Sequence, residues 1–214
     1  IVRELLAKLE RSRAFREQIT EKGFVLGVDG IVTCLAISPD SRWLAIGQGS
    51  RGGGAVVYDG HSGEKRFTLW PQGSKGQIIV HSLSYSHDSK VLAAACADNL
   101  GIRLWHFSAG KGSSLPMVPG VVRPLTVVFS PSSRHLVGGF ETVGDGKGKP
   151  YLKIWNIDNH REPFLFKAEH AGKVWSVAYG TGGQQIASGS QDKRVVMWNA
   201  ETGRIWREFR TGMT

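Results

Sequence analysis

The chain has 214 residues, with 27 Lys and Arg against 18 Asp and Glu and a formal charge of +9. This balance favours acidic partners, nucleic acid included, although a solvated basic surface with no dedicated polyanion site is the simpler explanation. No run approaches the roughly 18 to 20 apolar residues that span a bilayer, so we expect no membrane contact. Cys34 and Cys96 lie in apolar strand patterns, so we expect buried thiols in a reducing intracellular compartment, the cytoplasm rather than the nucleus.

Residues 1–23 differ in character from the rest of the chain. Leu5, Leu6 and Leu9 recur at helical spacing among charged residues, and Phe15 and Ile19 continue the apolar stripe. The pattern predicts a short N-terminal helix that ends near Gly23. It would be a linker to an upstream domain, a partner-binding helix, or a helix packed on the following domain.

Residues 24–214 contain one unit in four copies, at about 24–70, 71–118, 119–167 and 168–210. Each copy has three short apolar strands separated by turn residues, and the third strand ends on an aromatic residue. These aromatic residues are Tyr58, Trp105, Trp155 and Trp198. Their spacing of 40 to 50 residues is typical of a four-stranded propeller blade.

A fourth, outer strand is predicted after each set of three. We place these outer strands at Arg66 to Leu69, Leu115 to Val118, Phe164 to Lys167 and Arg204 to Phe209, with a fifth candidate before the first copy at Phe24 to Gly27.

The fourth copy contains a Ser, a His and an Asp that resemble a hydrolase triad. His170 precedes one predicted strand, Ser188 lies inside the next, Asp192 falls in a turn, and Trp198 ends the third strand. In this order the segment resembles one repeat of the WD-repeat β-propeller family. The resemblance implies an all-β fold of four four-stranded blades, in which these four side chains form a buried hydrogen-bond network and not an active site.

The resemblance also bears on how the ring closes. In this family the first outer strand usually completes the last blade, but here five outer strands accompany four inner sets. We therefore expect an incomplete ring, about half of a propeller, completed by further sequence or by a second chain. The alternative is that one outer strand is a loop and that four blades close alone.

In this family, partners bind at the end of the ring where the first strands begin. Carried over by position, the family's contact sites give Lys173, Trp175 and Gln191 in the fourth copy, His81 in the second and Arg123 in the third. Arg51, Lys147 and Lys149 lie in predicted loops at the same end. Trp175 is the foremost candidate because exposed Trp is enriched in binding hot spots. The alternative is that a neighbouring loop buries it.

No other pattern indicates catalysis, a cofactor or a metal. The Gly-rich segment 144–150 fails as a phosphate loop, because Pro150 stands where a magnesium-binding Ser or Thr is needed. The histidines show no metal-ligand spacing. We expect a non-catalytic scaffold for protein partners with acidic surfaces. The alternatives are a nucleic-acid-associated subunit of the RNA-processing type and a sensor or regulatory module of a larger signalling protein.

Overall fold

The computed structural model describes residues 30–49, 53–69, 78–97, 101–115, 122–142, 151–158, 164–165 and 170–212. All regular structure in these ranges is β-strand. The predicted helix in residues 1–23 and the predicted strand Phe24 to Gly27 lie outside them. Among the described residues, there is no helix of the length and apolarity that a bilayer crossing requires.

Sixteen strands form four antiparallel sheets of four strands each, numbered here as sheets 1 to 4 along the chain. Sheet 1 contains β1 (Val32–Ile37), β2 (Trp43–Gln48), β3 (Gly54–Asp59) and β4 (Lys65–Leu69). Sheet 2 contains β5 (Val80–Tyr85), β6 (Val91–Cys96), β7 (Gly101–His106) and β8 (Lys111–Ser114). Sheet 3 contains β9 (Val122–Phe129), β10 (His135–Thr142), β11 (Leu152–Asn156) and β12 (Phe164–Leu165). Sheet 4 contains β13 (Val174–Tyr179), β14 (Gln185–Ser190), β15 (Arg194–Asn199) and β16 (Ile205–Arg210).

Each sheet is a meander in which consecutive strands pair. We call the end with the turns between first and second strands the lower end, and the end where first strands begin the upper end. In three of the lower turns a serine with positive φ reverses the chain, at Ser41, Ser89 and Ser133. A first-position serine supports each of these turns; for example, the Ser38 hydroxyl accepts the Trp43 N–H at 2.9 Å.

The sheets pack side by side, with β1 against β5, β5 against β9 and β9 against β13. Each interface is an apolar core made by facing strands, because side chains alternate between the two faces of a sheet. Ala45 and Val57 of sheet 1 meet Val80 and Leu92 of sheet 2 in the first core. The second core joins sheets 2 and 3, and the third joins sheets 3 and 4.

In the part of the chain that the structure describes, the far face of sheet 4 lacks such a cover. In sheet 3 the corresponding face is buried by sheet 4, with Val137 and Leu152 both fully buried. In sheet 4 Ala187 and Val195 occupy the same register and are only half-buried, while Phe209 is exposed. The described arc of sheets therefore ends on an apolar face.

The predicted outer strand at Leu115 to Val118 is wrong. The fourth strand of sheet 2 is β8, which begins at Lys111 because Gly110, at positive φ, closes a tight turn after β7. Leu115 follows this strand and is buried in the core between sheets 2 and 3. The sequence of β8, Lys-Gly-Ser-Ser, has little strand propensity, and backbone pairing with β7 overrides it.

Candidate functional site

The four side chains of the fourth repeat lie together inside sheet 4. Trp198 donates its indole N–H to the Ser188 hydroxyl at 2.8 Å. Ser188 Oγ is 2.8 Å from His170 Nε2, and His170 Nδ1 is 2.9 Å from Asp192 Oδ2. Since a carboxylate only accepts, His170 donates from Nδ1 to Asp192. We call this set the sheet 4 network.

Asp192 is the most heavily bonded member of this network. Its carboxylate also accepts from the guanidinium of Arg194 at 2.8 Å and from the Ala171 N–H at 2.9 Å. Partial burial by itself would raise the pKa of Asp192. The hydrogen bonds from Arg194, Ala171 and His170 outweigh that effect and hold the pKa well below its usual range.

The network is unsuited to nucleophilic catalysis. Ser188 is 1% exposed, so a substrate carbonyl has no approach to its hydroxyl. The same oxygen already accepts the Trp198 N–H, which holds it inside the sheet. A triad serine must meet its substrate directly, beside donors for the oxyanion. The arrangement can stabilise the sheet, but it cannot perform acyl transfer.

Each first strand carries a one-residue bulge in the same register near the upper end. The bulged residues are Thr33, His81, Leu125 and Trp175. Bulges re-aim a side chain and often lie beside functional sites. Thr33 and Trp175 are exposed, His81 is half-buried and Leu125 is buried. Trp175, at 54%, presents by far the larger side chain of the two exposed residues.

Beside Trp175, charged residues from sheets 3 and 4 converge on one buried carboxylate. Glu141 is 4% exposed and binds Arg123 of its own sheet at 3.0 Å and Lys173 of sheet 4 at 2.6 Å. The Lys173 ammonium also lies 5.4 Å from the centroid of the Trp175 ring, a cation–π distance. Gln191 is exposed, and its backbone N–H donates to the Lys173 carbonyl at 2.9 Å. We call these five residues the Glu141 cluster.

The sheet 4 network supports the segment that carries this cluster. His170 and Ala171, which bind Asp192, directly precede Gly172 and Lys173. Ser190 Oγ donates to the Gly172 carbonyl at 2.8 Å. A Cβ at Gly172 would lie 2.9 Å from the Asp192 backbone nitrogen, so this close approach requires glycine. The buried network therefore fixes the backbone from which Lys173 and Trp175 project.

The structure thus brings four of the predicted contact residues together: Arg123, Lys173, Trp175 and Gln191. His81 lies on sheet 2, at the same bulge register as Trp175 but not in the cluster. Arg51, Lys147 and Lys149 lie outside the described residues.

Sequence reasoning missed Glu141 as a member of the site. Glu141 pairs with Arg123 at the upper end of sheet 3. In sheet 4, Gln191 directly follows Ser190, which pairs with Val174. Glu141 and Gln191 therefore occupy equivalent positions in their sheets. The comparison of the four copies identified Gln191 because it directly precedes Asp192, the turn aspartate of the fourth copy. The third copy has no turn Asp, so the marker was missing there.

Within the described ranges, no group of three His, Cys, Asp or Glu side chains could hold a metal ion. The cluster's single carboxylate is already occupied by two cations, Arg123 and Lys173.

Comparisons with known proteins agree with this architecture. The family model of the WD domain, G-beta repeat, matches residues 23–59 and 163–199. The crystal structure of the β-propeller domain of Cps50 (Swd1) from Myceliophteria thermophila is similar, with 18% identity and a TM-score of 0.66 over 87% of this chain and 57% of that chain. The chain thus spans little more than half of that domain, and at this identity the likeness shows the fold alone. No curated protein matches the chain. Residues 23–59 and 163–199 thus match WD repeats, and with its four sheets in propeller order the chain has the fold of a β-propeller.

Proposed function

We propose that this chain is a non-catalytic scaffold that binds protein partners at the upper end of sheets 3 and 4. The observation that carries the proposal is Trp175, a large exposed side chain on a bulge and the largest member of the Glu141 cluster. Propellers of this family generally mediate protein interactions and are generally non-catalytic. Exposed Trp and Arg are enriched among residues that dominate binding energy.

The charge of the Glu141 cluster favours an acidic partner surface. Arg123 and Lys173 together exceed the single charge of Glu141, so the cluster keeps one net positive charge at neutral pH. Both basic side chains remain partly exposed, at 38% and 42%. Complementary charge on a partner would speed association and fix its orientation.

Affinity capture from a lysate, followed by quantitative mass spectrometry, tests the proposal. For at least one protein that the unaltered chain captures, the amount captured by Trp175→Ala and by Lys173→Glu should each be at least ten-fold lower. The matched control is Trp206→Ala, because Trp206 is 57% exposed on sheet 4 and also lies beside a basic residue, Arg207. If Trp206→Ala loses the same proteins, or if Trp175→Ala loses none, binding at the Glu141 cluster is refuted.

A second candidate, nucleic-acid association, is favoured by the formal charge of +9. Fluorescence anisotropy with a 20-nucleotide RNA at several salt concentrations separates the two. Backbone contacts to phosphate would give an affinity that falls steeply with salt. The absence of RNA binding at low salt would remove this candidate.

We also propose that the ring is incomplete and that further sheets cover sheet 4. The hydroxyl of Ser82 accepts the Val127 N–H of the next inner strand at 3.2 Å. Ser176, at the equivalent register, is exposed. Light scattering in solution tests this idea: a dimer would favour closure by a second chain. A monomer in which the exposed face of sheet 4, with Phe209, is protected from solvent would instead favour four blades that close alone.

An intracellular and cytoplasmic location is also a proposal. Cys34 and Cys96 are free thiols, and burial raises the pKa of Cys34 to about 11 and that of Cys96 to about 12. Unreactive buried thiols suit a reducing compartment. Partners recovered from fractionated cytosol and nuclei would distinguish the two locations.

A further inference from the structure

The lower end of the interface between sheets 1 and 2 is filled by one aromatic ring. Phe107 stacks on Trp43 of sheet 1, with ring centroids 5.7 Å apart, and on Tyr85 of its own sheet at 5.8 Å. In the next interface Ile157 takes the place of Phe107 and is 8% exposed. Both interfaces are therefore closed by a large apolar side chain at this point.

The interface between sheets 3 and 4 lacks this side chain. The backbone bond from Phe107 N–H to the Lys90 carbonyl corresponds to the bond from Ala200 N–H to the Gln184 carbonyl. Ala200 therefore occupies the position of Phe107. By the same register, Tyr179 corresponds to Tyr85 and His135 to Trp43. Two flanking rings are present, but the ring between them is missing.

The lower turns of adjacent sheets are linked by a hydrogen bond in the first two interfaces but not in the third. Between sheets 1 and 2 the Asp40 N–H donates to the Ser89 hydroxyl at 3.1 Å, and between sheets 2 and 3 the Asp88 N–H donates to the Ser133 hydroxyl at 3.0 Å. Gly183 holds the equivalent position in sheet 4, also at positive φ, and has no hydroxyl. The link between the last two turns therefore cannot form.

These two losses leave a cavity of about 610 Å³ between sheets 3 and 4. Its lining includes Ser132, His135, Tyr179, Gln184, Ala200 and Glu201. The volume lies in the range of small-molecule sites, roughly 300 to 1,000 Å³. We propose that this cavity binds a flat aromatic ring, placed between Tyr179 and His135 where Phe107 lies in the first interface. The hydroxyls and the Glu201 carboxylate favour a ring that carries N–H groups. This proposal is independent of the proposed scaffold function.

Saturation-transfer NMR on the 214-residue chain tests the inference, with indole as the free ring and the peptide Gly-Ser-Trp-Ser-Gly as the ring on a protein partner. Indole at millimolar concentration should receive saturation from the chain. Ala200→Phe should abolish the signal by supplying the missing ring. Ala109→Phe, which adds the same side chain at an exposed turn of sheet 2, should leave it unchanged.

The two probes distinguish the source of the ring. Tighter binding of the peptide would assign the cavity to a partner's side chain, and equal or tighter binding of indole would assign it to a free small molecule. Gly183→Ser and Tyr179→Ile, the latter matching Ile37 of sheet 1, should both weaken binding if Ala200→Phe does not fold. Failure of both probes to bind, or equal binding to a folded Ala200→Phe variant, would overturn the proposal.

Discussion

Sheets 2 and 4 carry a tryptophan at the same register, but the hydrogen bonding of its indole N–H differs between the two sheets. Trp198 of sheet 4 donates to Ser188 and joins a network that ends at Asp192. Trp105 of sheet 2 has a buried N–H that meets no acceptor among the described residues. The cause is one residue, because Ala94 of sheet 2 stands where Ser188 stands in sheet 4.

The difference shows that a repeat of this fold does not need the network in order to form. In sheets 1 and 3 Ile46 and Gly138 occupy the same position and also lack a hydroxyl. These sheets are held by backbone pairing and by apolar cores on their faces. Among the described residues, sheet 4 has a covered core on one face only, and it also presents Trp175. The network bonds the backbone from which Lys173 and Trp175 project.

Asp192→Ala should produce the largest loss. It leaves His170, Arg194 and the Ala171 N–H without their shared acceptor. Removing one partner from a buried charge pair typically costs about 3 kcal/mol, and the cost should appear in urea unfolding. Asp158→Ala, at an exposed aspartate on sheet 3, is the control and should change stability little. Equal losses in the two variants would contradict the role given to Asp192.

The contribution of Asp192 should depend on pH. Its folded pKa lies below its unfolded value of about 3.9, so the stabilisation is complete above that value and is lost as pH falls through the folded pKa. The difference in unfolding free energy between the unaltered chain and Asp192→Asn should thus be constant from pH 7 to about 5 and shrink below about 4. Asp59 and Asp88, whose pKa values are also lowered, are present in both proteins and cancel. A difference that stays constant down to pH 2 would refute the assignment.

Ser188→Ala should cost about 2 kcal/mol, because it leaves both the Trp198 N–H and His170 Nε2 without a partner in a buried site. Ser190→Ala is a control within the same strand, where the hydroxyl is only partly buried and bonds the backbone. The melting temperature of Ser188→Ala should be lower than that of Ser190→Ala, and the reverse order would count against the network.

Ala94→Ser is the reciprocal change and should have the smallest effect, a gain of about 1 kcal/mol. The new hydroxyl would supply the acceptor that the Trp105 N–H lacks. Urea unfolding of Ala94→Ser, and of the double variant that combines it with Ser188→Ala, measures the change in unfolding free energy. A loss as large as that of Ser188→Ala would show that sheet 2 has no room for the hydroxyl.

The sequence predicted the strands with strong apolar patterns and marked turns, since these patterns are local. It failed for β8, where pairing with a neighbour imposes strand structure on Lys-Gly-Ser-Ser. Four members of the Glu141 cluster were predicted by position, but Glu141 was not. A salt bridge between Glu141 and Lys173 depends on two sheets that meet in space, which a single repeat does not encode. The cavity beside Ala200 was missed for the same reason, because a missing side chain becomes visible only when the interfaces are compared.

Amide hydrogen exchange of Asp192→Ala, compared with the unaltered chain, tests most directly whether the sheet 4 network fixes the segment that carries Lys173 and Trp175. The Ala171 N–H donates to Asp192, and the Gln191 N–H donates to the Lys173 carbonyl. In sheet 2 the equivalent Ala97 N–H donates to the Ile79 carbonyl, far from the mutation in the fold. We predict that exchange at Ala171 and Gln191 accelerates at least ten-fold while Ala97 is unchanged. Unaltered exchange at Ala171 and Gln191, or an equal acceleration at Ala97, would contradict the account.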